Sequence, residues 1–366
     1  MKTEKNHKLG FTCAYTPMAI IDAAGFLPFR VLPVSNSPDQ AGHLLHDNLC
    51  PHVKRVLDRA IANDLPEDLD GMVFMNSCDA MRRLADAWME VRPDDRMILL
   101  DLPATNERTA IDFFSGELSR FAETLAEWSG SPVTEEKIAL SVDKYNELSD
   151  LVNRLNDFMN EGKLEGSGGR MQELINLATS LPVEEALYLF KTEIVKAESS
   201  SPIKNGIPVF LFGNVMPDPE FFSLFESCGV HIAGNDFCTG TRMFSSMPYT
   251  KNRSIFMQLS GNILEKPPCA RSFDPLKPGG LAESVYEKAK ACGARGIIGH
   301  TLKFCDPYLA RLPMVRDKLQ DTGLPLLLLE GPVSQWSETN CRTLAFPCFS
   351  LKATAPFALS GSREHE

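Results

Sequence analysis

The sequence predicts an α/β protein with two parallel-sheet units and a helical segment between them. Short apolar runs of strand length alternate with helical patterns over residues 1–114, and the same alternation returns over residues 201–366. Between them, residues 115–200 show long helical periodicities and no strand pattern. Alternating strands and helices are typical of parallel sheets with helices on their faces. We therefore predict a first α/β domain (1–114), a helical segment (115–200) and a second α/β domain (201–366).

In the first domain, strands and helices are predicted to alternate along the chain. We expect strands over 8–13, 29–34, 71–75 and 97–100, and helices over 17–24, 51–63 and 79–90. The helix over 51–63 shows the clearest pattern, because Val53, Val56, Leu57 and Ala60 recur at the spacing of one buried helix face.

The elements of the helical segment and of the second domain are also predicted from the spacing of apolar residues. Apolar residues at helical spacing predict a long helix over 135–158, and Gly166-Ser167-Gly168-Gly169 reads as a turn between helices. That glycine run is not followed by Lys-Ser or Lys-Thr, so it lacks the Walker pattern of a phosphate loop. In the second domain we expect strands over 207–212, 230–233, 296–299 and 325–329, and helices over 219–227 and 308–320.

Composition excludes several classes of function. The formal net charge of −11 argues against nucleic acid as the main partner, because binding a polyanion requires clustered Lys and Arg. No apolar run approaches the roughly 18–20 residues of a membrane helix, and the polar N-terminus leads into no secretory signal. We expect a soluble, cytoplasmic protein.

The ten cysteines are the main candidates for chemistry. In a cytoplasmic chain of this size they should be reduced thiols, and the sequence has no Cys-x-x-Cys pair. Cys78, Cys238 and Cys305 follow predicted strands, at the edge where open parallel sheets bind ligands. Cys50 precedes Pro51 at a helix start, where the free N–H groups stabilise a thiolate.

This pattern leaves four interpretations open. The thiolates can be soft ligands of an iron–sulfur cluster, buried structural thiols, a dispersed zinc site, or, for Cys305 with His300, a nucleophile and its base. Arg242 lies on a loop after a strand, where it can bind a phosphate or carboxylate or form a structural salt bridge.

The motifs, taken in order, resemble those of the 2-hydroxyacyl-CoA dehydratase D-component and benzoyl-CoA reductase subunit family. The resemblance covers about residue 10 to about residue 345, and its strength lies in the order of individually weak motifs. The motifs are Cys13-Ala14-Tyr15-Thr16-Pro17, Asn48-Leu49-Cys50-Pro51, Asn76-Ser77-Cys78-Asp79, Asp101-Leu102-Pro103, Tyr145-Asn146-Glu147, Cys238-Thr239-Gly240-Thr241-Arg242, Lys303-Phe304-Cys305-Asp306-Pro307 and Leu328-Leu329-Glu330.

The resemblance implies a pair of Rossmann-like domains and an oxygen-sensitive 4Fe–4S cluster. Its pattern assigns the three cluster ligands to Cys50, Cys78 and Cys305, and leaves the fourth iron open to water, a sulfur species or substrate. Cys13 and Cys238 are then expected near the cluster and not on it. Arg242 and Lys303 are candidates for binding substrate, on the basis of charge and position.

The resemblance also implies a function. In such enzymes an ATP-dependent activator, itself an iron–sulfur protein, donates one electron at low potential. A 2-hydroxyacyl-CoA thioester then forms a ketyl radical and loses water. Relatives reduce benzoyl-CoA instead, and some subunits only relay electrons. Active members pair with a homologous second subunit or a second copy. The missing Walker loop fits the recipient of the electron.

Two departures from the family pattern bear on the choice between these activities. Ala19 stands where the first motif often carries Glu, a carboxylate that could act as a base. The segment from Asn340 to Phe346 matches the usual Arg-Thr-Arg run only in part. Both departures favour an electron-relay subunit, a reductase relative or a separate branch over a dehydratase subunit that binds substrate.

Overall fold

The computed structural model describes residues 7–33 and 39–331 and shows two four-stranded parallel sheets. The first sheet has the strand order β2-β1-β3-β4 and the second the order β6-β5-β7-β8, so their topologies match. All neighbouring strands are parallel. The strands are β1 (Lys8–Phe11), β2 (Leu27–Arg30), β3 (Leu69–Met75), β4 (Arg96–Leu100), β5 (Ile207–Gly213), β6 (Val230–Asp236), β7 (Gly296–Thr301) and β8 (Leu326–Glu330). The predicted α/β fold class is confirmed.

Three helices accompany the first sheet: α1 (Met18–Ala23), α2 (Pro51–Ile61) and α3 (Asp79–Val91). Helix α2 begins with proline at its first position, where no backbone N–H is needed, and it buries the predicted apolar face. Strand β2 begins and ends earlier than predicted. Its pairing with β1 covers only Leu27 to Arg30, and this pairing sets both of its ends.

Four helices, α4 (Arg108–Ser129), α5 (Glu135–Asn160), α6 (Ser167–Ala178) and α7 (Val183–Ser199), form the predicted helical segment. The turn between α5 and α6 is shorter than predicted, because Gly168 and Gly169 already belong to α6. A Cβ atom on Gly168 would lie 2.7 Å from Cδ1 of Ile232, and one on Gly169 would lie 2.6 Å from Oγ of Ser223. Close packing against the second sheet and its helix therefore explains these glycines.

The second sheet carries four helices, α8 (Pro219–Ser227), α9 (Ile255–Leu264), α10 (Gly280–Ala291) and α11 (Asp306–Gln320). The prediction contained α8 and α11 and missed α9 and α10. Short 3₁₀ helices occur at Ala41–His43 and Thr241–Met243.

The two sheets share one apolar core. Leu9 and Phe11 of β1 and Val209 and Leu211 of β5 face the same cluster, which includes the buried faces of α4 to α7. The opposite face of each sheet packs on its own outer helices. The division into domains at residues 114 and 200 stays a prediction. Across the described residues, none of the helices combines the length and apolar character needed to cross a bilayer.

Candidate functional site

The carboxyl ends of the two sheets meet, and six cysteines surround the junction. Arg30, the last residue of β2, donates hydrogen bonds to the carbonyl oxygens of Thr12 after β1 (3.2 Å) and Cys238 after β6 (2.8 Å). Leu302, which follows β7, packs on the outer core of the first sheet. The cysteines are Cys13, Cys50, Cys78, Cys238, Cys269 and Cys305, and all six are free thiols.

Three of the six share one structural position. Cys50, Cys78 and Cys305 are the N-cap residues of α2, α3 and α11, and we call them the N-cap cysteines. At an N-cap, the free N–H groups and the positive end of the helix dipole favour a negative charge on the sulfur. Three helices from two sheets thus direct their positive ends at the residues that the resemblance assigns as cluster ligands.

The pKa values of the N-cap cysteines are raised by burial and are coupled to one another. Burial raises the pKa of Cys50 to about 12. Negative charge on Cys305 or Cys78 would raise it further, and hydrogen bonds from the N–H groups of His52 and Val53 oppose the rise. Burial also raises the pKa of Cys78 to about 12 and that of Cys305 above its usual value. Without a bound cation these thiols are neutral, so binding a metal would release protons.

Asn214, which follows β5, connects the loops that follow β6 and β7 within the second half of the molecule. Its carbonyl oxygen accepts a hydrogen bond from the N–H of Cys238 (2.6 Å). Its amide donates to the hydroxyl of Thr301 (3.2 Å), and its side chain lowers the pKa of Cys305 against the larger, raising effect of burial.

The other three thiols are Cys13, Cys238 and Cys269, and we call them the inner cysteines. All three belong to or pack on the core shared by the sheets. The thiol of Cys238 donates a hydrogen bond to Cys269; this bond, together with the charges of Arg242 and Arg271, lowers the pKa of Cys269 to about 6, although burial opposes the change. The backbone N–H of Cys269 lies 3.4 Å from the hydroxyl oxygen of Tyr15.

The two sets are adjacent. A negative charge on Cys13 or Cys269 would raise the pKa of Cys78, and one on Cys269 would raise that of Cys305. The structure therefore brings together all five cysteines that the sequence singled out, Cys13, Cys50, Cys78, Cys238 and Cys305, and adds Cys269.

Arg242 lies at this junction but is bound by the protein itself. Its Nε donates to the carboxylate of Asp236, Nη1 lies 3.2 Å from Sγ of Cys238, and Nη2 donates to the carbonyl oxygens of Gly213 and Asp236 and to the hydroxyl of Tyr308. These contacts are those of a structural salt bridge beside a thiol. Lys303 is exposed next to Phe304, which has the left-handed φ of 60° directly before Cys305. A role for Arg242 or Lys303 in binding substrate stays a prediction.

His300 does not pair with Cys305. Its Nε2 lies 2.9 Å from the carbonyl oxygen of Gly331, and its buried Nδ1 has no hydrogen-bond partner among the described residues. Burial lowers the pKa of His300 to about 4, so the ring is neutral near pH 7. The geometry does not support the interpretation of these two residues as a nucleophile and its base.

The donor set suits a cluster better than a single ion. Within residues 7–33 and 39–331, no three His, Cys, Asp or Glu side chains are arranged to hold one metal ion, which is what a zinc site requires. A cluster distributes its thiolate ligands over several irons, so its ligands stand farther apart than those of one ion. Three N-cap thiols with mutual electrostatic contact fit that requirement.

Sequence reasoning missed Cys269, Lys266, Arg271 and Arg30 as parts of the junction. The first three lie in Lys266-Pro267-Pro268-Cys269-Ala270-Arg271, where a cysteine stands between two cations and follows two prolines. That pattern was the available sequence signal. Arg30 gave none, because its partners are distant in sequence.

Comparison with known proteins agrees with the ordered motifs. Residues 13–343 match the sequence profile of the family described as 2-hydroxyglutaryl-CoA dehydratase, D-component. A benzoyl-CoA reductase subunit of Thauera aromatica is 22% identical over 87% of this chain and 84% of its own. The (R)-phenyllactyl-CoA dehydratase beta subunit of Clostridium sporogenes is 23% identical over 93% of this chain and 90% of its own. The lactoyl-CoA dehydratase beta subunit of Anaerotignum propionicum is 19% identical over 92% of this chain and 90% of its own.

The profile match covers nearly the whole chain, and the three relatives extend over most of it. The predicted family is therefore confirmed: this chain belongs to the 2-hydroxyglutaryl-CoA dehydratase D-component family.

Proposed function

We propose that this chain is the iron–sulfur subunit of a radical acyl-CoA dehydratase-type enzyme. In this proposal Cys50, Cys78 and Cys305 hold a 4Fe–4S cluster with one open iron. The observation that carries it is the convergence of three N-cap cysteines from two sheets at one junction. When bound, such a cluster supplies one electron to an acyl-CoA thioester and a Lewis-acid site for loss of water.

The chain's own residues would prepare this site in three ways. The N-termini of α2, α3 and α11 stabilise the negative charge of the thiolates. The side chain of Asn214 favours the thiolate form of Cys305. Burial of Cys50 and partial burial of Cys78 limit the access of water and oxidants. A thiolate site of this kind also favours a reducing, cytoplasmic location.

A second candidate function is a benzoyl-CoA reductase-type or electron-relay subunit without its own substrate turnover. Ala19 favours it, because this buried position in α1 offers no carboxylate to act as a base. The three relatives are named as subunits of a reductase or of dehydratases. We accordingly propose a homologous second subunit or a second copy as partner, and an ATP-dependent iron–sulfur activator as electron donor.

Replacing Cys305 by Ser tests the cluster. We expect Cys305→Ser, purified without oxygen, to lose about four irons per chain and the matching acid-labile sulfide, because one ligand of the cluster is gone. The control is Cys292→Ser at the C-terminal end of α10, whose thiol bonds to its own helix at the carbonyl oxygen of Ala289. Equal iron contents in the two variants would contradict the assignment.

Turnover separates the two functions. If the chain, supplied with an activator and low-potential reductant, releases water from a 2-hydroxyacyl-CoA without a homologous partner, the electron-relay alternative is wrong. Activity that appears only when a homologous subunit is added fits either function, because both include a homologous partner.

A further inference from the structure

A small cavity at the start of α1 contains two polar groups without partners. Its volume is about 20 Å³, and most of its lining is apolar, including Met18, Ala19 and Met243. The hydroxyl of Thr16, a residue that is only 4% exposed, lines this cavity and has no hydrogen-bond partner among the described residues. Lys266 lines it as well, and within the described residues its ammonium forms no ion pair and no hydrogen bond.

The chemistry of these two groups defines what would satisfy both. Buried polar side chains nearly always have a hydrogen-bond partner, so two unpaired groups on one cavity indicate a ligand. An ammonium only donates and a hydroxyl can donate, so the partner that serves both is an oxygen that accepts two hydrogen bonds. A cavity of about 20 Å³ has room for one such oxygen and excludes a carboxylate or a phosphate.

The charge of Lys266 fits this role. Burial lowers the pKa of Lys266 to about 8, and negative charge on Cys13 would oppose the change. The side chain therefore stays mostly protonated near pH 7 and can donate a hydrogen bond.

Lys266 also lines a larger groove of about 550 Å³. One wall of the groove is formed by residues 104–106, which follow β4 in the first half, and the opposite wall by α10 and α11 of the second half. Pro268 and Ala270, the neighbours of Cys269, line it too, so the groove reaches the junction. Its volume lies in the usual range of small-molecule sites.

The cavity adjoins the inner cysteines on both sides. Thr16 follows Cys13 in a turn in which the N–H of Thr16 donates to the carbonyl oxygen of Cys13 (3.1 Å). Lys266 precedes Cys269 in the same loop, and the N–H of Cys269 donates to the hydroxyl of Tyr15 (3.4 Å). A ligand oxygen held by Thr16 and Lys266 would thus lie beside the junction.

We propose that Thr16 and Lys266 bind the carbonyl oxygen of an acyl thioester, whose remaining chain lies in the groove lined by Lys266. The identity of the ligand rests on the proposed function, in which the substrate is an acyl-CoA thioester. A thioester carbonyl presents one uncharged oxygen with two lone pairs, which matches two donors and a cavity of this size. The ammonium also favours negative charge that develops on this oxygen when the thioester is reduced.

The binding of two matched CoA derivatives to the full chain tests this inference. Acetyl-CoA and S-ethyl-CoA share the nucleotide and the pantetheine arm and differ only in the carbonyl oxygen. Isothermal titration calorimetry of the chain purified without oxygen measures both affinities. We expect the wild type to bind acetyl-CoA at least about tenfold more tightly, because S-ethyl-CoA leaves two buried donors unpaired.

Variants assign this preference to the two residues. In Thr16→Val and in Lys266→Met the ratio of the two affinities should fall close to one, whereas Thr16→Ser, which keeps the hydroxyl, should preserve it. The ratio cancels any change in the binding of the nucleotide, because that part is common to both compounds. Lys251→Met, at an exposed position before α9, is the control, and circular dichroism verifies folding.

The outcomes separate this inference from the proposed function. Equal affinities of the wild type for the two compounds, or no binding of either, would overturn the carbonyl site whatever the iron content. A preference that survives in both Thr16→Val and Lys266→Met would also overturn it. Wild-type protein that prefers acetyl-CoA but holds no iron and cannot be reconstituted would overturn the cluster and leave the carbonyl site in place.

Discussion

The two halves of the molecule have the same topology and contribute equally to the junction. Each sheet has its first strand second in order, and each half supplies three cysteines. The equivalent strands β3 and β7 are each followed by a helix whose N-cap is a cysteine, Cys78 and Cys305. The halves differ where the equivalent strands β2 and β6 end, since β2 ends at Arg30 and β6 at Asp236.

This difference shows how the junction is balanced. In the second half, buried Asp236 neutralises part of the charge of Arg242 and Lys288. In the first half, Arg30 has no carboxylate among the described residues, and its guanidinium reaches across to the second half instead. The two halves therefore depend on each other through Arg30.

The largest expected effect comes from removing the buried carboxylate of the second half. Asp236→Asn leaves Arg242 buried without its partner, and we expect the free energy of unfolding of the iron-free protein to fall by about 3–5 kcal/mol. Urea unfolding followed by circular dichroism measures it. Asp317→Asn, which removes an exposed partner of Arg316 in the same half, should change stability by less than about 1 kcal/mol.

The effect of Asp236→Asn should depend on pH. Burial would raise the pKa of Asp236, but the charges of Arg242 and Lys288 lower it overall. A carboxyl group whose pKa is lower in the folded state contributes stability above its unfolded value, about 3.9, and loses that contribution as the pH falls through the folded value. The difference between wild type and variant should thus be full at pH 7 and shrink below about pH 4. A difference that is constant with pH would contradict the ion-pair explanation.

The effect of Lys266→Met should be neutral or favourable in the iron-free protein and unfavourable in the iron-loaded protein. In the iron-free protein the variant removes a poorly compensated charge, so we expect stability to be unchanged or higher by about 1 kcal/mol. In the iron-loaded protein it removes a counter-charge, so iron release to a chelator should become several-fold faster. Lys277→Met, at an exposed position of the same loop, is the control. Identical behaviour of the two variants in both states would show that Lys266 compensates no cluster.

Much of the fold could be predicted because local patterns determine it. The apolar stripe of α2 and the proline that begins it are readable within eleven residues. The early end of β2 and the helical placement of Gly168 could not be predicted in the same way, because sheet pairing and packing against Ile232 decide them. The segment that forms α9 and α10 has helical residues, but its position depends on α4 and the second sheet.

The site was predictable only in part for a related reason. Cys50, Cys78 and Cys305 stand in ordered motifs, so the family resemblance finds them. Cys269 and Arg30 belong to the junction only through contacts with residues far away in sequence. Arg30 and Cys238, for example, are 208 residues apart. The charges that meet at the junction come from distant segments, so no single segment of the sequence predicts their balance.

The most direct test of this account is the iron and acid-labile sulfide content of the anaerobically purified wild-type chain, with low-temperature EPR after reduction. We predict about four irons and a comparable amount of sulfide per chain, with the signal of a reduced cluster. Iron-free protein that takes up no iron and sulfide on reconstitution would contradict the account, and Cys50, Cys78 and Cys305 would then be structural thiols.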